Sequence, residues 1–263
     1  MTPFFFGHSP RQLYGAYHAP RHSAFRDSAV LFCSPIAQEY MRSHWMLRRL
    51  AEQLAGEGFH VLRFDYSCCG DSSGDFFDAS VAQWLEDIYV AGDELLNTSG
   101  ASQLSIVGLR FGATLAALSK GLPVNQLILA DPVVEGSHYV DQLRRMHVER
   151  LADRHRYPVP RVEGVDFDER EILGFWFSEA LEQEIRRANL SERLFIAAKE
   201  IGLIASVDGD EYRALKRSLL REGVALVYEC LGEPSGWTRV ESISSALLAQ
   251  QLSNRVVQQL VGE

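Results

Sequence analysis

What most constrains this chain is a repeated alternation of continuous apolar runs with amphipathic helical stretches, interrupted once. The runs are Ala29–Cys33, His60–Phe64, Gln103–Gly108, Gln126–Ala130, Leu194–Ala198 and Ala225–Cys230. Between and after them, Ser43–Ala55, Val81–Leu96, Phe111–Leu118, Glu211–Arg221 and Ile243–Leu260 carry apolar residues at helical spacing. A strand whose hydrophobicity is continuous is one buried on both faces. Strands of that kind joined through helices predict a mostly parallel sheet covered by helices on both sides. Phe4–Phe6 and Leu13–Tyr17, split by His8-Ser9-Pro10-Arg11, predict an antiparallel hairpin at one sheet edge. The alternation stops over residues 135–190, which are rich in Arg, Glu, His and aromatic residues and contain Pro158 and Pro160. That stretch is expected to be a helical cap inserted into a core made of residues 1–134 and 191–263.

Composition narrows the partners. The net charge of −9 argues against nucleic acid, because phosphate neutralisation needs clustered Lys and Arg. No apolar stretch reaches the ~20 residues of a membrane span, and Met1–His8 lacks the basic and apolar regions of a signal peptide. Cys33, Cys68, Cys69 and Cys230 show no C-x-x-C spacing, and two of them are adjacent. That disfavours a disulfide framework and leads to the expectation of a reduced, cytoplasmic protein. His138, His147 and His155 do not share a metal-site spacing, so neither a metal nor a cofactor is expected.

Ligands of parallel sheets bind beyond the carboxyl ends of the strands. One such end is Gly108-Leu109-Arg110-Phe111-Gly112-Ala113. It has the strand–turn–helix setting of a G-x-S-x-G elbow, in which a serine is exposed on a sharp turn. Here both glycines are present and Arg110 stands in the serine's place.

The stretch Glu57-Gly58-Phe59-His60-Val61-Leu62-Arg63-Phe64-Asp65-Tyr66, followed by Cys69-Gly70-Asp71-Ser72-Ser73-Gly74-Asp75, resembles the signature of serine aminopeptidase-like α/β hydrolases. Phe4–Pro20, Glu39–His44 and Gly108–Gly112 are similar to a bacterial subgroup of that family encoded with exosortase systems. The resemblance implies an α/β-hydrolase fold and a serine, acid and histidine triad in that chain order. In this chain the serine position is Arg110. The acid position falls among Glu200, Asp208 and Asp210, and the histidine position within Leu231–Trp237 contains none. No histidine follows His155. Cys33-Ser34-Pro35-Ile36 stands where such hydrolases often carry His-Gly. Arginine stays protonated at any working pH and cannot act as the nucleophile.

Three readings follow. In the first, the fold has lost serine hydrolysis and binds an acyl or anionic small molecule, or a partner enzyme, with Arg110, Phe111, Ser34, Ile36 and Trp237 as candidate binding residues. A guanidinium at a helix N-terminus can clamp a carboxylate or phosphate. In the second, a non-standard group (Cys33, Cys68, Cys69 or a cap histidine) supports ester hydrolysis or acyl transfer. In the third, the chain is a structural subunit, and Arg110 forms a buried ion pair with Glu39, Asp65 or Asp131.

Overall fold

A computed structural model describes residues 1–21, 25–153, 170–192, 198–232, 237 and 243–262, with 243–248 described as backbone only. Its strands are β1 (Thr2–His8), β2 (Arg11–His18), β3 (Ser28–Cys33), β4 (His60–Phe64), β5 (Gln103–Leu109), β6 (Val124–Ala130), β7 (Glu171–Ile172), β8 (Phe175–Trp176), β9 (Glu200–Ala205) and β10 (Ala225–Cys230). Its helices are α1 (Ala37–Gly56), α2 (Val81–Ser99), α3 (Phe111–Leu118), α4 (Gly136–Ala152), α5 (Glu179–Arg187), α6 (Asp210–Arg221) and α7 (Ile243–Val261). Eight strands form one sheet in the order β1-β2-β4-β3-β5-β6-β9-β10. The β1–β2 and β2–β4 pairs are antiparallel and the remaining neighbours are parallel.

Alternation of side chains along each strand divides the core into two layers. Leu31, Leu62, Ile106, Leu127, Leu129 and Leu203 point to one face, where they meet Trp84 and Ile88 of α2 and Leu115 of α3. Val30, Phe32, Val61, Val107, Ile128 and Ile204 point to the other, against Leu47, Leu50 and Leu54 of α1 and Leu252 and Val256 of α7. Each large aliphatic side chain buried this way contributes about 1.5–3 kcal/mol, which is why both faces of the central strands are apolar. Helix α2 starts where the Ser80 hydroxyl accepts the Gln83 amide and ends at Gly100, whose φ is 69°. Both are standard stop and start chemistry.

Two expected elements are placed differently. Helix α1 begins at Ala37, well before the expected Ser43, because its first turns are polar and its N-cap, Ile36, offers no side-chain cap. The strand expected at Leu194–Ala198 falls largely on residues 193–197, outside the described residues. The strand that pairs with both β6 and β10 is β9, at Glu200–Ala205. Two apolar runs lie close together there, and only pairing on both sides selects the second.

Over residues 135–190, α4 and α5 pack together, tied by Arg186 to Glu182 and Asp141 and by Arg144 to Glu182. The short β7–β8 hairpin precedes α5. Pro158 and Pro160 lie outside the described residues.

Candidate functional site

The turn between β5 and α3 holds Arg110 at φ 54° and ψ −125°, a conformation that costs a non-glycine residue about 1–3 kcal/mol. The surroundings hold it there. The Arg110 N–H donates to Ala130 O at 3.0 Å, and the Arg110 carbonyl accepts from Ala113 N at 3.0 Å and Val133 N at 3.4 Å. The flanking glycines are steric requirements. A Cβ on Gly108 would strike the Ala113 backbone, and one on Gly112 would overlap the carbonyl oxygens of Cys33 and Ser34. The sharp strand-to-helix elbow is therefore present, with an arginine on it.

The guanidinium is mostly buried and partly spoken for. Its Nε donates to Glu39 Oε1 at 3.0 Å, and its Nη1 donates to the backbone carbonyl of Asp131 at 3.1 Å. Glu39, only 2 % exposed, accepts a second hydrogen bond from the Tyr139 hydroxyl at 3.0 Å. The Tyr139 ring also lies 5.8 Å from the guanidinium carbon and stacks on Phe111. Burial by itself lowers the Arg110 pKa, but the Glu39 carboxylate and further acidic neighbours outweigh it and hold the group above its ordinary value. Nη2 donates to no described residue, and Arg110 lines a cavity of about 860 Å³. That cavity lies beyond the carboxyl ends of the strands. Its wall includes Pro132–Glu135, His138, Tyr139 and Gln142 of α4, and Glu211 and Tyr212 of α6.

The cavity's charged groups are of both signs. His138, at the rim, bonds Glu211 at 3.0 Å and sits 3.3 Å from Glu135, and these carboxylates raise its pKa. Burial raises the pKa of Tyr139 and Tyr212, so both phenols remain protonated donors.

The other expected site residues are dispersed. Phe111 is fully buried between Tyr139 and Trp84 and belongs to the core rather than to a ligand wall. Ser34 and Ile36 line a separate apolar cavity of about 230 Å³ with Phe76 and Phe175. Trp237 is 8 % exposed and its indole N–H donates to Asp131 Oδ2 at 2.7 Å. It lines neither the cavity over Arg110 nor the apolar one. Asp131 itself is wholly buried and also accepts the Ser206 amide.

Glu200 opens β9, paired with Gln126 and Ala225. It therefore sits at the amino end of its strand, whereas Arg110 follows the carboxyl end of β5. Asp208 follows β9, as an acid position requires, but it is engaged by Arg213 at 2.7 Å and by the Tyr228 hydroxyl at 3.3 Å. Asp210 opens α6 and pairs with Arg213. Of the three carboxylates expected near Arg110, Glu39 makes the ion pair, Asp131 contributes its carbonyl, and Asp65 is held by Tyr40 and the Asp71 amide. The contributions of Tyr139 and Tyr212 are absent from the sequence reading. Their only signal there is proximity to the ends of β6 and β9.

All four cysteines are free thiols. Cys33 is buried and pushed up to about 12 by burial, and burial also raises Cys68 and Cys69. Among the described residues, no cluster of His, Cys, Asp or Glu has the makings of a metal site. No described helix is long and apolar enough to cross a membrane.

No family model matches this chain, and no curated protein does. Solved structures do. Est1E from Butyrivibrio proteoclasticus superposes with a TM-score of 0.63 at 11% identity, covering 98% of each chain. An α/β serine hydrolase without lid from Xanthomonas campestris gives 0.57 at 13%, covering 98% of this chain and 94% of its own. A proline iminopeptidase from Mycobacterium smegmatis gives 0.57 at 14%, covering 98% and 100%. At such identities the likeness establishes the architecture, which is the α/β-hydrolase fold.

Proposed function

We propose that this chain is an α/β-hydrolase-fold protein that has given up serine hydrolysis and binds an anionic small molecule in the cavity over Arg110. The observation that carries the reading is a guanidinium edge with no partner among the described residues. Glu39 and the Asp131 carbonyl fix Nε and Nη1, Nη2 meets no described residue, and Arg110 lines the cavity. A guanidinium clamped from behind is pre-organised, so a ligand carboxylate or phosphate loses little ordering entropy on meeting it. Residues 135–190 then serve as the cap, with α4 forming one wall of the cavity.

The chemistry of the elbow supports loss of hydrolysis. Removing the nucleophile or base of a serine triad costs on the order of 10⁶ in rate. The elbow residue is an arginine, and no histidine exists beyond His155. A cysteine in the serine's role is disfavoured, because the nearby thiols stay protonated and Cys33 is sealed in the core. The mixed charge of the cavity suits a polar anion better than a hydrocarbon chain, so the acyl reading ranks second here.

The test has two arms. A fluorophosphonate probe should leave the purified protein unlabelled, and short-chain esters should be hydrolysed no faster than by the Arg110→Gln variant. Native mass spectrometry against a panel of small organic acids should find a bound species that Arg110→Gln loses while its circular dichroism is unchanged. Labelling by the probe, or retention of the acid by Arg110→Gln, would sink the reading.

A further inference from the structure

Strand β4 carries a second buried arginine that takes no part in the cavity over Arg110. Arg63 pairs in register with Ala16 of β2 and Phe32 of β3. It faces the α1 layer like Val61 two residues earlier, and is 9 % exposed. Its two hydrogen bonds go to uncharged acceptors. Nε donates to His18 Nε2 at 3.4 Å, and Nη2 reaches the Met1 thioether at 3.6 Å. Burial, followed by the Arg63 charge, lowers the His18 pKa to about 4, so this imidazole is a neutral acceptor and not a counter-ion. Among the described residues no carboxylate lies within ion-pair distance of Arg63. The nearest acidic group of its own strand end, Asp65, is already engaged by the Tyr40 hydroxyl at 2.6 Å and the Asp71 amide at 3.0 Å.

A buried cation with no described carboxylate in direct contact, its charge offset by the longer-range field of Asp65, is an arrangement proteins avoid. Here it borders a cavity of about 200 Å³, whose wall includes Tyr40, His44, Arg48, Arg63 and Asp65. That is room for about six waters. Arg48, tied to Glu52 through Nε and lying over the Trp45 ring, also lines this cavity. This cavity shares no lining residue with the one over Arg110.

We propose that the cavity over Arg63 is a site for a compact oxyanion, phosphate in preference to sulfate, with Arg63 as its buried counter-charge and Arg48 at its rim. The preference follows from the carboxylates of Asp65 and Asp71 on the same wall. At neutral pH phosphate keeps an O–H that can donate to a carboxylate, whereas sulfate offers only acceptors and is repelled. The proposal is independent of the Arg110 reading.

Calorimetric titration of inorganic phosphate into the full chain, at fixed ionic strength, tests it. In the Arg110→Gln background, which removes the other anion site, one saturable event is expected, weakened at least tenfold by adding Arg63→Met. Sulfate should bind at least fivefold more weakly. Methionine preserves the length of the buried stem. If Arg63→Met fails to fold, Arg48→Gln at the rim is expected to weaken phosphate at least threefold. Absence of saturable binding, full affinity in Arg63→Met or Arg48→Gln, or equal affinity for sulfate overturns the proposal. Loss of the event in Arg110→Gln also overturns it, because it moves the anion to the other cavity.

Discussion

Arg110 and Glu39 are each costly alone and tolerable together. Two charges taken out of water are offset only if they meet each other and their remaining hydrogen-bonding groups are satisfied. Glu39 meets that condition with Arg110 on one oxygen and Tyr139 on the other. Glu39→Ala leaves the guanidinium uncompensated and is expected to destabilise the protein by about 3–5 kcal/mol, measured by urea denaturation. The double variant Glu39→Ala/Arg110→Met should lose much less than the two single losses summed, because it removes both charges. Additive losses would show that the pair is not coupled. At this scale the sequence was half legible. The elbow arginine stands out because the spacing of its glycines is so restrictive, and Glu39 was one of its three expected partners. The contacts of Tyr139 and Trp237 are not legible in the sequence, for one shared reason. Tyr139 reaches Glu39 across 100 residues and Trp237 reaches Asp131 across 106, and no local pattern encodes such contacts.

Among the elements, the β5–α3 junction tolerates little change. The first turn of α3 passes against the chain leaving β3, so closely that Gly112 has no room for a methyl group next to the Cys33 and Ser34 carbonyls. Backbone cannot rotate aside as a flexible side chain can. Gly112→Ala is therefore expected to cost at least the about 3 kcal/mol that marks the upper range of overpacking, with a matching fall in thermal midpoint. A neutral substitution would mean that the junction is looser than its geometry shows. Strands β3, β4 and β5 were legible because burial on both faces demands unbroken apolar runs. The start of α1 was not, since neither cap chemistry nor an apolar stripe marks residues 37–42. Strand β9 is not singled out by pattern alone, because two apolar runs lie close together and its place is set by its neighbours in the sheet.

For the whole molecule, the fold places its openings along one sheet edge. The cavity over Arg110, the apolar cavity beside Ser34 and the cavity over Arg63 all draw on residues at or just beyond the carboxyl ends of strands. This is where a parallel sheet leaves a crevice, and it is the part of the reading that the alternating pattern anticipated best. Pattern alone did not reveal that the expected binding residues would be divided among separate compartments. Ser34 and Arg110 follow adjacent strands, yet their cavities share no lining residue.

The hydrogen bond from Trp237 to Asp131 has an optical consequence. Asp131 also receives Arg110 through its backbone carbonyl, so this indole sits one residue from the cavity wall. The chain has four tryptophans: Trp45 and Trp176 are 67 % and 47 % exposed, and Trp84 and Trp237 are buried at 0 % and 8 %. Acrylamide should quench the first pair readily and spare the second, and Trp237→Phe should remove about half of the protected emission. Once the outer indoles are replaced by phenylalanine, the protein carries its own fluorescent gauge of what happens at Arg110, without an added dye.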